Sequence, residues 1–293
     1  MSDQSITRDR KRLGLLFAAP GLLLLAITMG LPLGYALVIS LSNMTLIHPD
    51  LIPFQGLENY IEILGNPMFW SSLGVTLRFS AASVIGEFVV GLAIALLLTK
   101  VVRMRALYFA ILTLPMAMSP VAVALIWKML LQPNLGIVNS TLVGLGLPVV
   151  DWLGNPDLAL STLIFVEIWQ QTSFVVLLLS AGLASLPRDP YEAAEVDGAG
   201  PIAQFWYITL PMLRPVAAIA IVIQLINEFR TYDLVYVMTK GGPGISTELL
   251  SFFAYKRAFQ GLAINEGNAA AFLLLLVVLS ITVVFFWILE RRR

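Results

Sequence analysis

The chain has 293 residues, of which 58% are hydrophobic and 12% charged, a balance that excludes an ordinary soluble domain. Lys+Arg and Asp+Glu number 18 each, and a net charge of zero argues against a nucleic-acid-binding surface. There is no cysteine, and the single histidine, His48, stands in a polar connection beside Pro49, so disulfides, thiolate sites and a histidine metal cluster are excluded while the compartment stays open.

Apolar runs recur at the length of about 20 residues that crosses a bilayer, so the chain reads as an all-α polytopic membrane protein. Six spans follow, bounded by charges or by Pro/Gly clusters. The first, Leu13 to Ser42, is long, and Pro20, Gly30 and Pro32 are expected to bend it. The basic "RDRKR" before it has the look of a signal-peptide front. The apolar run is too long for that, however, and no clear small-residue cleavage site follows. The remaining spans are Trp70 to Thr99, Ala106 to Trp127, Leu158 to Leu186, Tyr207 to Asn227 and Asn268 to Leu289. Tails of residues 1–12 and 290–293 flank one transmembrane domain, 13–289.

Charge orients the spans. Arg8, Arg10, Lys11 and Arg12 precede the first, and Lys100, Arg103 and Arg105 follow the second. Arg188 and Arg214 follow the fourth, and Arg291, Arg292 and Arg293 end the chain. The opposite connections 43–69 and 132–157 contain no Lys or Arg, though the one after the fifth span holds Arg230, Lys240, Lys256 and Arg257. Both termini, and the connection between spans four and five, are therefore expected in the cytoplasm.

That connection opens with "PRDPYEAAEVDGAG" from Pro187. Asp189 is placed to cap a helix, Pro190 suits its first position, and Glu192 completes a capping box. Gly198 and Gly200 end the helix and Pro201 prevents its continuation, leaving about 8 residues spanning about 12 Å. Ala193 and Ala194 permit close approach by another surface, and the carboxylates offer charge-assisted contacts. The alternative is a connector lying on the membrane, although interfacial helices usually present basic faces.

Glu192, Ala193, Ala194, Gly198, Ile208, Leu210 and Pro211 together resemble, in type and spacing, the "EAA" loop of ABC-importer permeases. Two further stretches, "GLENYIEILGNPMFWSSLGVTL" and "TYDLVYVMTKGGPGISTELLSFFAYKRAF", resemble the carbohydrate branch of that family, the relatives of maltose and glycerol-3-phosphate permeases. The resemblance covers most of the chain from residue 56. It implies the six-helix type I importer permease fold in a bacterial inner membrane, with a cytoplasmic coupling helix at about 189–200. Glu192, Ala193, Ala194, Asp197 and Gly198 would then seat in a partner ATPase and transmit its motion. The implied partners are a second homologous permease, two copies of the ATPase and an extracytoplasmic solute-binding protein. ATP and Mg would be bound by the ATPase, with no cofactor or metal in this chain and no enzymatic activity of its own. The implied solute is a sugar, a polyol or a related glycosylated or hydroxylated small molecule.

Polar groups inside the spans are costly and mark function or helix–helix contacts. The fourth span holds Glu167, Trp169, Gln170, Gln171 and Thr172, with Glu167 and Gln171 on one face. The fifth ends in a stripe of Gln224, Asn227, Glu228 and Thr231. By the family resemblance, Gln171, Phe174, Gln224, Asn227, Glu228 and Thr231 fall at solute-contacting positions; the alternative is that these groups satisfy one another between helices. Arg230 and Asp233 are candidates for an ion pair. Arg78 and Glu87 point to opposite faces of the second span, Arg78 reaching for the interface and Glu87 without an assigned role. "GGPG" after Lys240 is expected to be a tight turn re-entering toward the cavity, as in the family. An ATP-independent secondary carrier is the competing reading, but no internal repeat supports it. Hydrolase motifs are absent, and without a P-loop the chain is not itself the ATPase.

Overall fold

The computed structural model describes residues 17–49, 53–101 and 103–291, which are predominantly helical. Among the described residues the one extended pairing is an antiparallel bridge between Ser42 and Phe54. The basic tail at Arg8 to Arg12, the start of the first span at Leu13, and Arg292 and Arg293 lie outside the described residues.

Five stretches are long and apolar enough to cross a membrane: Phe17–Ser40 (α1), Pro67–Thr99 (α3), Pro156–Ala184 (α7), Pro201–Met238 and Ile264–Ile288. The fourth of these comprises Pro201–Gln204, a π-helical turn Phe205–Thr209 and Leu210–Arg230, together α9, followed by the short helix Asp233–Met238, α10. Between α1 and α3 lies α2, Glu58–Gly65; Ile137–Gly144 is α6 and Asp189–Val196 is α8. Leu250–Tyr255 is α11, and the last span belongs to α12, Ile264–Glu290.

The expected third span differs. It is two helices, α4 (Arg105–Ala117) and α5 (Pro120–Leu130), meeting at 93°. The cause is local. A residue before proline is pushed into extended backbone, and Met118 and Ser119 have ψ of 146° and 134° ahead of Pro120. Pro115 adds a missing donor in the last turn of α4. The first span is one helical stretch from Phe17 to Ser40. A π-helical turn at Ala26–Gly30 absorbs the glycine, and Pro32 enters in the first turn after it, so the helix runs on to Ser40.

The chain packs as two units. The smaller contains the described residues up to Gly65 with Ala254–Leu273. Its organising residue is Asn59, whose amide donates to the carbonyls of Ser40 and Ser42 at 2.9 and 2.8 Å and whose oxygen accepts from Asn265 at 2.9 Å. An ion pair between Arg257 and Glu266, 3.1 Å, braces the start of α12.

The larger unit, Asn66–Phe253 with Leu274–Arg293, is organised around α3 and α7. Both begin with the same dipeptide. Asn66 and Asn155 each accept a hydrogen bond from the amide two residues on, at 2.9 Å, and Pro67 and Pro156 fill the first helical position. Small residues then let these helices approach. A Cβ on Gly91 would lie 2.7 Å from Val175 Cγ1, and one on Gly182 of α7 would lie 2.9 Å from Leu213 of α9. Around these contacts Ala95, Val175, Leu179, Leu213 and Ala217 form a dry core. Gly91→Val is therefore expected to destabilise the unit by about 1–3 kcal/mol through overpacking. The measurement is the midpoint of thermal inactivation in detergent. Gly74→Ala, where a Cβ meets nothing within 4 Å, should leave that midpoint unchanged.

Candidate functional site

The first candidate element is α8. Its start corrects the expected capping box: Arg188 occupies the cap position with helical backbone angles, and no side chain caps the helix. Asp189 and Glu192 instead lie in the first turn, where carboxylates favour the positive end of the helix dipole. The end is as expected. Gly198 takes φ +77°, its amide bonds Glu195 O at 3.1 Å, and the amide of Ala199 bonds Ala194 O at 2.8 Å, a Schellman closure. Nothing crowds Gly198, so its constraint is backbone handedness rather than space. Glu192, Ala193, Asp197 and Gly198 are exposed and Ala194 is half-buried, so four of the five expected coupling residues form a free surface. Val196, 88% exposed, adds an apolar contact point that charge and motif did not single out.

The structure also ties α8 to the following span. Tyr191 Oη donates to Thr209 Oγ1 at 3.0 Å, and Gln204 Nε2 donates to the carbonyl of Ala199 at 3.1 Å. Thr209 is buried, so the pivot of α8 is anchored in the first turns of α9. Tyr191, Gln204 and Thr209 were not singled out from the sequence. Tyr191→Phe removes one such tie, worth about 0.5–1.5 kcal/mol. The expected result is normal membrane insertion with faster protease cleavage within 188–200 than in the unaltered protein.

The second candidate is polar and buried between α3, α7 and α9. Gln224 Nε2 of α9 donates to Glu87 Oε2 of α3 at 2.7 Å, and Asn227 Nδ2 donates to Gln224 Oε1 at 3.1 Å. On α7, Gln171 Nε2 donates to Glu167 Oε1 at 3.4 Å. Glu87, Glu167 and Glu228 are each at most 4% exposed and lie near enough for their charges to repel. Glu228 sits beside Glu87 and Ser83, yet neither of its oxygens makes a hydrogen bond of ordinary geometry. No Lys or Arg pairs with these carboxyls among the described residues. Such a group is expensive to keep in a low-dielectric core.

The expected solute-contacting residues thus separate by exposure. Gln224 and Glu228 are buried, whereas Gln171, Phe174, Asn227 and Thr231 are half-buried. Gln171 and Phe174 share a face of α7 at a spacing of three. Thr231 Oγ1 donates to the carbonyl of Asn227 at 3.3 Å, turning its hydroxyl into the helix end. Glu87, which the sequence left without a role, is the partner that gathers the α9 stripe. Its 137-residue separation from Gln224 left no local pattern to find. Arg78 lies on the exposed side of α3, 3.2 Å from the carbonyl of Gly74. Arg230 and Asp233 form no ion pair among the described residues.

The "GGPG" stretch is a tight turn. Lys240, Gly241 and Gly244 have φ of 53°, 84° and 60°, and Thr247 Oγ1 lies 2.7 Å from Gly242 O. A Cβ on Gly241 would meet the ring of Phe252 at 2.9 Å. The turn lines a cleft of about 550 Å³ with Lys128, Gln132, Asp151 and Thr239.

The site thus comprises a largely exposed α8 and a buried polar cluster in a helical membrane domain, the class of a polytopic permease. Residues 87–291 match the family described as binding-protein-dependent transport system inner membrane component, and the chain belongs to that family. It is 36% identical to the trehalose/maltose transport system permease protein MalF of Thermococcus litoralis, over 99% of both chains. It is 31% identical to the sulfoquinovosyl glycerol transport system permease protein SmoG of Agrobacterium fabrum, over 96% of this chain and 91% of that protein. Against the sn-glycerol-3-phosphate transport system permease protein UgpA of Pectobacterium atrosepticum, identity is 33%, over 93% and 92%. The fold matches a subunit of a bacterial ABC transporter that imports the acidic polysaccharide alginate, with a TM-score of 0.83 and 24% identity over 98% and 99% of the chains. The protein is accordingly an inner-membrane translocation subunit of an ABC importer, and the ATP-independent carrier reading is set aside.

Proposed function

We propose that this chain forms half of the translocation path for a sugar, a polyol or a related hydroxylated solute. The observation that carries the reading is that two amides, Gln171 and Asn227, and the ring of Phe174 are half-buried within a membrane domain. Amides give and take hydrogen bonds with hydroxyls, and an aromatic face suits the C–H surface of a sugar. The named solutes of the relatives, trehalose/maltose, sulfoquinovosyl glycerol and glycerol-3-phosphate, are all hydroxylated and support the same class. A second homologous permease completes the path, and an extracytoplasmic binding protein delivers the solute. A fold neighbour was solved with an alginate pentasaccharide-bound periplasmic protein, which supports that arrangement.

In this proposal the tails flank one transmembrane domain in sequence, and both tails and α8 face the cytoplasm. Two copies of a partner ATPase bind and hydrolyse ATP with Mg. This chain holds no cofactor and catalyses no reaction. Glu192, Ala193, Ala194, Asp197 and Gly198 seat α8 in the ATPase, with Val196 filling an apolar contact. Closure of the ATPase pair then displaces α8 as a rigid piece, and its ties to Thr209 and Gln204 pass the displacement into α9. Because α9 carries Gln224, Asn227 and Glu228, the same movement re-sets the polar cluster between the inward- and outward-open packings.

The test is uptake of labelled trehalose, maltose and glycerol-3-phosphate by cells expressing the whole importer. Gly198→Val is expected to insert normally but lower uptake at least about tenfold while ATP hydrolysis persists, because a β-branched residue opposes the left-handed φ that closes α8. Normal uptake by that variant, or uptake that survives loss of the ATPase, contradicts the assignment.

A further inference from the structure

We infer that Glu87 is a positioning residue of the path: through Gln224 it sets which atom of Asn227 faces an incoming solute. The inference rests on the reading of Asn227 as a solute contact. A carboxyl oxygen that accepts a hydrogen bond faces the NH2 end of an amide, whose other end is an acceptor. Glu87 Oε2 therefore takes the NH2 end of Gln224, at 2.7 Å. Once that end is committed, only Gln224 Oε1 remains on the other side, and it accepts from Asn227 Nδ2 at 3.1 Å. Asn227 is in turn forced to direct its Oδ1 away from the buried cluster. No hydrogen bond to that oxygen occurs among the described residues, and Asn227 is half-buried while Glu87 and Gln224 are 0% and 1% exposed.

The chain of bonds thus carries polarity from a buried acid to the margin of the path. Its end is an acceptor, which suits a solute hydroxyl acting as donor. Remove the acid and Gln224 is free to turn over; its NH2 then donates to Asn227, whose NH2 replaces the oxygen at the margin. The three bonded residues come from two helices, so the orientation also depends on α3 and α9 being packed as they are here. A movement that separates them releases the amide and weakens the hold on the solute at the margin.

Two variants separate positioning from structure. Glu87→Met keeps length and removes the acceptor that orients Gln224; Gln224→Met removes the oxygen that holds Asn227 Nδ2. Combining Gln224→Glu with Glu87→Gln reverses the pair, yet restores the bond between 87 and 224 and still leaves an oxygen for Asn227 Nδ2. In cells expressing the whole importer, with labelled trehalose and maltose as probes, each single variant should raise KM about five- to tenfold, with kcat within about twofold. The reversed pair should return KM to within about threefold of the unaltered protein. A fall in kcat with KM unchanged, or a reversed pair no better than Gln224→Met alone, overturns the inference.

A second arm needs no solute. The thermal midpoint of the purified importer is compared for Glu87→Met, Gln224→Met and the two combined. Non-additive shifts support the bonded pair and additive shifts overturn it. If neither sugar is imported by the unaltered protein, those two solutes are excluded for the path, and the bonded pair is decided by this arm on its own.

Discussion

Everything specific to this protein depends on the close approach of α3 and α7. Lipid offers helices little hydrophobic reason to associate, so contact must come from packing and hydrogen bonds. Gly91 against Val175 and Gly182 against Leu213 supply the packing, holding α3, α7 and α9 around one dry core. That geometry is what makes a buried polar cluster sustainable. Glu87, Glu167 and Glu228 arrive on three different helices, and Gln224 and Gln171 supply hydrogen bonds that a looser bundle would lose to lipid. Carboxyls in such a place are a cost to stability, which makes them a mark of function.

The second constraint is mechanical. A short surface helix transmits force only if its ends are fixed, and α8 is fixed by two unlike devices. Gly198 closes its C-terminal end through backbone handedness, while Tyr191 and Gln204 fasten it to the turns that begin α9. Thr209, the partner of Tyr191, is the last residue of the π-helical turn Phe205–Thr209, where Leu210–Arg230 begins. Motion imposed on α8 therefore enters the helix that carries Gln224, Asn227 and Glu228. In the proposed function, energy input and solute contact thereby share one helix, which is a direct physical basis for coupling.

Much of this was legible in the sequence, for identifiable reasons. Long apolar runs announce membrane helices because the bilayer requires about 20 residues. The glycine after "EAAEVD" announces a helix end because few other residues tolerate φ near +77°. The α9 stripe was visible because its residues recur at helical spacing. What escaped depended on distant or competing effects. Prolines flanking Met118 and Ser119 were read as lying inside one span, yet the residue before Pro120 prefers extended backbone and the helix breaks by 93°. Asp189 looked like a cap, but the chain enters the helix one residue earlier, at Arg188. Glu87 had no readable role because its meaning lies in Gln224, on another helix.

The account stands or falls on α8 meeting an ATPase, and the absence of cysteine from the chain makes this directly measurable. A single cysteine carrying a photo-crosslinker would be placed at Val196, and as a control at Trp287, both exposed. After irradiation of native membranes, the account predicts an adduct between position 196 and the ATPase subunit and none from position 287. An adduct with lipid alone at 196, or equal capture of the ATPase from both positions, would contradict it.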